Sequence, residues 1–149
     1  RVEESAPEAS VTVLAKERTF WEKATLIHVE CNRTIARSSA DRISRHWYDL
    51  FRMSEKLDNY KSAKMYELLS SVVQHKNAFY YSGTAGYSDC LIGKLRLVPG
   101  EPLKTFLRAD FTAMQSAGMF YDEPPTFDEI LDLLAETERQ LNKAIKRLS

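Results

Sequence analysis

The sequence is poor in the residues and patterns that define several common classes of protein. Its 149 residues include only two cysteines, Cys31 and Cys90, with no Cys-x-x-Cys or Cys/His grouping. Neither a disulfide framework nor a structural zinc site is therefore indicated. No apolar run approaches the roughly 20 residues of a transmembrane helix, and no signal peptide is visible. We expect a cytoplasmic protein without a membrane span.

The chain also lacks an excess of charge and the familiar motifs of nucleotide and acyl chemistry. The formal net charge is +0, so no global field draws the chain onto nucleic acid or an anionic membrane. Any contact with RNA would have to come from a local basic patch. There is no Gly-x-x-x-x-Gly-Lys phosphate loop, and no Ser-His-Asp or Cys-His arrangement suggests a nucleophile.

Helical periodicity is what the sequence does contain. A chain of this length suits one domain with a single core, and apolar residues recur at helical spacing in about five segments. We predict a mainly α fold, a bundle of about five helices with one or two short strands. The predicted helices are Glu17 to Asn32, Asp41 (as the N-cap) to about Glu55, Tyr60 to Gln74, Pro102 to about Gly118, and a last helix that opens with the capping box Thr126 to Glu129.

Two segments are predicted to be something other than helix. Residues 1–10 contain acidic residues and Pro7 and are interpreted as a loose tail or linker, which leaves 11–149 as the helical domain. The β-branched run Val11 to Leu14 predicts a short strand. The irregular segment Asn77 to Gly100 is interpreted as a loop with room for a second strand.

The first predicted helix combines a buried arc with a lysine on its flank. Phe20, Trp21, Ala24 and Ile27 fall on one side at about 100° per residue. Lys23 lies beside that arc, where its stem can pack while its ammonium points along the surface toward a phosphate. The simpler alternative is an ordinary surface lysine.

The second helix carries a charged face opposite its apolar one. The face consists of Arg42, Arg45, His46, Asp49 and Arg52. Such a surface could hold a triphosphate or a nucleic-acid backbone through its guanidinium groups, and the aspartate could position a metal or take a proton. The alternative is a solvated face in which Asp49 pairs with Arg45, worth about 0.3–0.5 kcal/mol. Likewise, the His75–Lys76 pair is interpreted as a complement to a helix dipole.

Five blocks of sequence stand out when they are taken in order. They are Val13 to Ala24, Ser44 to Leu50, Val73 to Lys76, Leu95 to Pro99 and Leu107 to Phe111. In their order and spacing these blocks resemble the AbiEii/AbiGii family of nucleotidyltransferase-like toxins from abortive-infection and type IV toxin-antitoxin systems. The resemblance extends from about Val11 to the end of the chain.

This resemblance implies a site, a reaction and partners. It implies that Lys23 and Asp49 are active-site residues. If the chain is part of a nucleotidyltransferase, we expect Lys23 to neutralise phosphate charge, Asp49 to help position the metal or the acceptor, and Arg45, from the charged face of the second helix, to steady the triphosphate. The resemblance further implies a nucleoside triphosphate substrate, magnesium as cofactor, an acceptor such as tRNA, and an antitoxin protein as partner. For Arg108 and Asp110, only the resemblance recommends a role in the site.

The chain departs from the family pattern in one respect. Members of the family open with a polymerase-beta-like half that contains a Gly-Ser turn and an Asp-x-Asp magnesium pair, whereas this sequence has no Asp-x-Asp. We therefore expect the chain to be the C-terminal portion of a longer nucleotidyltransferase and to be inactive alone. The alternative is a non-catalytic helical module that binds an antitoxin or tRNA.

Overall fold

The fold is a bundle of helices. The computed structural model describes residues 7–33, 42–79 and 85–149, except for the side chains of 7–14 and 57–59. The α-helices in these ranges are α1 (Pro7–Cys31), α2 (Ser44–Met53), α3 (Ala63–Phe79), α4 (Glu101–Ser116) and α5 (Phe127–Leu148), with 3-10 helices at Ser54–Tyr60 and Tyr87–Leu91. The prediction of a mainly α bundle of about five helices is confirmed.

Helix α1 packs against α2 and α3 through the apolar arc that its period predicts. Phe20, Ala24 and Ile27 are completely buried, and on α2 the same holds for Trp47 and Leu50. Burying a side chain of this size contributes roughly 1.5–3 kcal/mol. The contact between these two apolar faces therefore fixes how α1 and α2 face each other.

Helix α5 closes the bundle. Thr126 accepts a hydrogen bond from the backbone N–H of Glu129, whose carboxylate accepts in return from the N–H of Thr126. This reciprocal capping box satisfies donors that a helix otherwise leaves open at its start. From there the helix packs along α2, α3 and α4, with Ile130, Leu134 and Leu141 fully buried.

The segment 94–98 belongs to neither a helix nor a strand, and its residues alternate between buried and more exposed. Side chains of α5 bind its backbone. Asn142 accepts from the N–H of Leu95 at 2.8 Å and donates to its carbonyl at 2.9 Å, and the Glu138 carboxylate accepts from the N–H of Leu97 at 2.7 Å. The second predicted strand is therefore absent from 94–98, where helix side chains meet the hydrogen-bonding needs of the backbone.

The strand predicted at Val11 to Leu14 is wrong, because this run lies inside α1. The helix begins at Pro7, within the segment interpreted as a tail, and 1–6 lie outside the described residues. Proline is well tolerated in a first helical turn. Four residues with a preference for strand are a weak signal. Extending a helix that has already formed outweighs it, because each residue added to the helix gains a backbone hydrogen bond.

Other helix boundaries differ from prediction by a few residues. Helix α2 starts at Ser44, and the predicted cap Asp41 lies outside the described residues. Helix α3 starts at Ala63 and continues to Phe79, which places Lys76 in its last turn. The predicted stop at Gly118 is confirmed. This glycine has φ +69°, and its N–H bonds back to Gln115 at 3.0 Å, which is the left-handed ending that glycine permits.

None of the helices within the described ranges combines the length and apolar character that crossing a bilayer requires.

Two adjacent leucines on α5 provide a matched test of the core. Leu134 is fully buried, whereas Leu133 is 41% exposed. Leu134→Ala should lower the free energy of unfolding by about 2–5 kcal/mol, because it removes transfer energy and leaves a cavity. Leu133→Ala should change it by less than about 1 kcal/mol. Urea denaturation of both variants measures the difference, and equal losses would contradict the assignment of this face to the core.

Candidate active site between helices α1, α2 and α3

A cavity of about 600 Å³ lies where α1, α2 and α3 meet. This volume falls in the range of small-molecule sites. Its wall combines apolar side chains with an unusual number of ionisable ones. The lining residues are Thr19, Glu22, Lys23, Leu26, Val29, Glu30 and Arg33 from α1 and its end, Ile43 and His46 from α2 and its start, His75 and Lys76 from α3, and Tyr87.

The structure brings Lys23 and Asp49 together. Lys23 Nζ lies 3.3 Å from Asp49 Oδ2 and 3.1 Å from His46 Nδ1, although the aspartate is 26 positions away in the sequence. The Lys23 side chain is 20% exposed and that of Asp49 is 43% exposed. The alternative in which Asp49 pairs with Arg45 is therefore wrong, and the aspartate joins α2 to α1.

His46 acts as the neutral member of this cluster. Burial, together with the positive charges of Lys23 and Arg45, lowers the pKa of its imidazole to about 4. A neutral ring has one nitrogen free to accept, so His46 Nδ1 can take a hydrogen bond from the Lys23 ammonium. The lysine is thus oriented by two acceptors on α2, a role that the sequence pattern did not indicate for His46.

The three arginines of α2 and its start do not form one patch. Arg42 binds the carboxylate of Asp110 at 3.0 Å, and Arg52 donates to Tyr48 Oη at 3.3 Å. Arg45 is exposed and lies outside the described lining of the cavity, although its charge is close enough to act on His46. A nucleotide-binding role for Arg45 stays a prediction.

Asp110 of α4 holds the start of α2. Its side chain is almost completely buried, with Oδ2 accepting from the backbone N–H of Ser44 at 3.0 Å and from Ser44 Oγ at 2.5 Å, while Arg42 binds Oδ1. Burial alone would raise the pKa of this carboxyl, but the hydrogen bonds from Ser44 and Arg42 outweigh it and lower the pKa. A carboxylate at a helix N-terminus also suits the helix dipole. Asp110 thus holds the start of α2 in place from α4, and it is not among the residues that line the cavity.

His28 has a structural role. It is fully buried, its Nδ1 accepts from the backbone N–H of Arg96 at 2.9 Å, and its Nε2 lies 2.8 Å from the carbonyl oxygen of Gly86. Gly86 has φ +67°, and a Cβ there would come within 2.7 Å of the Asn32 side chain. A glycine is therefore needed where the segment after 85 approaches α1.

Lys76 is the cavity residue whose position the sequence interpretation did not anticipate. It lies in the last turn of α3, as the dipole interpretation requires, but its ammonium crosses to α1 and donates to the carbonyl oxygen of Glu22 at 2.7 Å. Burial, with a smaller contribution from the charge of Lys23, lowers the pKa of this amine to about 8. The block Val73 to Lys76 in the family resemblance was the only sequence signal that could have pointed to it.

The described residues do not build a magnesium site. No group of three or more His, Cys, Asp or Glu side chains in these ranges could hold a metal ion. Magnesium favours several oxygen ligands in octahedral geometry, and the one carboxylate of the cluster, Asp49, has an ammonium at 3.3 Å.

Comparison with known families gives one match. The family model described as "Nucleotidyl transferase AbiEii toxin, Type IV TA system" matches residues 1–133, which include every residue that lines the cavity and Asp49. The comparison with curated proteins finds no match, and the comparison with solved structures finds none either.

Replacing Asp110 by Asn should destabilise the protein in a pH-dependent manner. The substitution keeps the shape but removes the charge that Ser44 and Arg42 bind, at a cost of about 1–3 kcal/mol near neutral pH. Because the folded-state pKa of Asp110 is lowered, the stability it provides is present above the unfolded pKa and is lost as the pH falls through the folded pKa. The difference in unfolding free energy between wild type and Asp110→Asn should therefore shrink in strongly acidic buffer.

The matched control for this experiment is Asp132→Asn, since Asp132 is an exposed residue of α5. It should leave the denaturation curve nearly unchanged at each pH. A constant gap between wild type and Asp110→Asn across the acid range would show that the carboxylate charge does not hold α2.

Proposed function

Because the chain belongs to the AbiEii family of nucleotidyl transferase toxins, we propose that its cavity binds the triphosphate of a nucleoside triphosphate whose nucleotide is transferred to an RNA acceptor such as tRNA. The observation that carries this proposal is the cluster of Lys23, His46 and Asp49 at the edge of the cavity. It joins two helices through the two residues that the family resemblance marks as active-site residues.

Lys23 would neutralise charge on the phosphates. Its ammonium has three donors, of which two are directed at His46 and Asp49, so one is available to a phosphate oxygen. Partial burial strengthens such a contact, because water screens it less than at an open surface. His46 stays neutral and so holds the lysine without adding a second charge to repel it.

Asp49 would act on the acceptor. In nucleotidyl transfer, an acceptor hydroxyl attacks the α-phosphate in line, a new oxygen–phosphorus bond forms, and pyrophosphate leaves as the bond to the β-phosphate breaks. The proton of the hydroxyl needs a base or a route to solvent. Asp49, half exposed beside Lys23, can orient that hydroxyl and take its proton. Arg45, exposed one turn earlier on α2, would steady the triphosphate at the rim.

Magnesium enters the proposal only for a protein in which this chain is joined to a half that carries an Asp-x-Asp pair. The resemblance places its principal ligands in an Asp-x-Asp pair, and this sequence contains none. The described residues lack a suitable group, so we assign them phosphate and acceptor contacts and no metal ligation. In a toxin-antitoxin system the antitoxin counteracts the toxin, and we propose an antitoxin protein as the partner of this chain.

Removing either member of the ion pair should abolish transfer without unfolding the domain. In a protein that joins this chain to a half carrying the Asp-x-Asp pair, Lys23→Ala and Asp49→Ala should each lower the transfer of labelled nucleotide to tRNA by at least about 100-fold, in the range of a lost transition-state contact. The melting temperature should change by only a few degrees, because neither side chain fills the core.

The exposed pair Arg139 and Glu136 on α5, with Arg139 Nε 2.9 Å from Glu136 Oε2, is the matched control, and its alanine variants should keep full activity. Exchanging charges in the double variant Lys23→Asp/Asp49→Lys sharpens the test. A merely structural pair tolerates exchange, whereas a phosphate contact and a proton acceptor each need their own sign in place. Activity retained in the exchanged variant would instead favour the helical interaction module.

The 149-residue chain alone should show no magnesium-dependent nucleotidyl transfer and should bind a nucleoside triphosphate only weakly. The physical reason is that the described residues do not form a metal site, and metal ions normally balance the phosphate charge in this chemistry. Incubation with labelled nucleoside triphosphates, magnesium and tRNA measures this. Turnover by the isolated chain would contradict our assignment of the metal ligands.

A further inference from the structure

The charges that line the cavity are unevenly neutralised. Five charged side chains contribute to the wall, namely Glu22, Lys23, Glu30, Arg33 and Lys76. Three ion pairs account for four of them, because Glu22 binds Arg18, Lys23 binds Asp49, and Arg33 binds Glu30. In the part of the chain that the structure describes, no carboxylate lies within ion-pair distance of Lys76.

The surroundings of Lys76 are unfavourable for a lone cation. The residue is partly buried, and placing an ammonium in such a site without a counter-ion costs free energy. Among the described residues its ammonium makes one hydrogen bond, to the Glu22 carbonyl oxygen at 2.7 Å, which ties α3 to α1 but uses only one of three N–H donors. Two N–H donors and a positive charge therefore remain available to an anionic ligand in the cavity.

The charges around Lys76 support this view. From α1, the carboxylate of Glu22 raises the pKa of Lys76 and the ammonium of Lys23 lowers it. From the Tyr87–Leu91 helix, Cys90 raises it, and burial, the largest influence, lowers the pKa to about 8. His75 is its neighbour on α3. At neutral pH the amine is still mostly protonated, so the cavity presents a cation that its protein surroundings stabilise incompletely.

We propose that Lys76 is a second phosphate-binding residue of this site and contacts the triphosphate from α3 while Lys23 contacts it from α1. The inference rests on the proposed function, because it takes the anion in the cavity to be the triphosphate of a nucleotide. A polyphosphate supplies several oxygens along a chain, which two ammonium groups on different helices can bind together. Lys76 is therefore a binding residue of the nucleotide, and its hydrogen bond to Glu22 sets where its ammonium lies.

The first test uses inorganic tripolyphosphate and the 149-residue chain, with binding measured by calorimetry. Lys76→Met keeps the length of the side chain and removes the charge, and it should weaken binding about tenfold, as expected for one charge-assisted hydrogen bond. Lys64→Met, at an exposed position of the same helix, should bind as wild type does. Equal affinity of all three proteins would overturn the proposal.

The second test follows wild-type Lys76 directly and does not depend on whether a variant folds. The rate at which an amine-acylating reagent labels each lysine is measured against pH by peptide mass spectrometry. Without ligand the Lys76 midpoint should lie near pH 8, and tripolyphosphate should move it upward by about one unit, because a bound anion favours the charged amine. An unchanged midpoint, or an equal shift with sulfate at matched ionic strength, would contradict a triphosphate contact.

These tests separate the inference from the proposed function because neither requires transfer. If the binding of tripolyphosphate depends on Lys76 but the Lys23 and Asp49 variants of the joined protein retain transfer activity, the phosphate site stands and the assignment of the reaction fails. If the Lys23 and Asp49 variants are inactive but Lys76 does not respond to tripolyphosphate, the reaction stands and the role of Lys76 fails.

Discussion

The contact between the apolar faces of α1 and α2 determines most of what the candidate site can do. Phe20 on α1 stacks on Tyr60 with ring centroids 3.7 Å apart, and Trp47 on α2 is completely buried and donates from Nε1 to the Leu97 carbonyl oxygen at 3.0 Å. These contacts leave little freedom for either helix to rotate, because a core packed at this density resists displacement. With the helices fixed, the flank of α1 that carries Lys23 meets the flank of α2 that carries His46 and Asp49.

Two supports outside this contact maintain the geometry of α2. At its start, the buried Asp110 carboxylate replaces a local cap, and along its length α5 packs against it. The cavity is completed by α3, which the Lys76 hydrogen bond ties to α1. A site assembled from three helices in this way has walls that belong to rigid elements, which favours precise placement of a polyphosphate.

The sequence predicted the parts of this arrangement that depend on local spacing. A period of 3.6 residues was enough to place Phe20 and Ala24 in the core and Lys23 on a flank, and the spacing from Thr126 to Glu129 located the start of α5. It also placed Asp49 away from the buried arc of α2. The family resemblance then selected Lys23 and Asp49 from among many charged surface residues, which periodicity alone could not do.

The features that the sequence did not predict depend on residues far apart in the chain. Asp110 caps a helix 66 positions earlier, Glu138 and Asn142 bind the backbone of 94–98 in the segment where a strand was predicted, and Lys76 reaches a carbonyl on α1. In each case a side chain satisfies the backbone of another element, and no local pattern records such a partner. The strand predicted at Val11 to Leu14 failed for a related reason, because continuation of α1 outweighed a short local preference.

We propose that the cavity between α1, α2 and α3 is the nucleotide site. Backbone amide chemical shifts of the isotope-labelled chain, recorded while a non-hydrolysable nucleoside triphosphate analogue is added, locate the bound nucleotide. We expect the changes to concentrate at Lys23, His46 and Lys76 and their neighbours, even when binding is weak. Changes confined to a separate cavity that Lys16, Lys56 and Tyr60 line, or spread evenly over exposed lysines, would show that the nucleotide does not bind between these three helices.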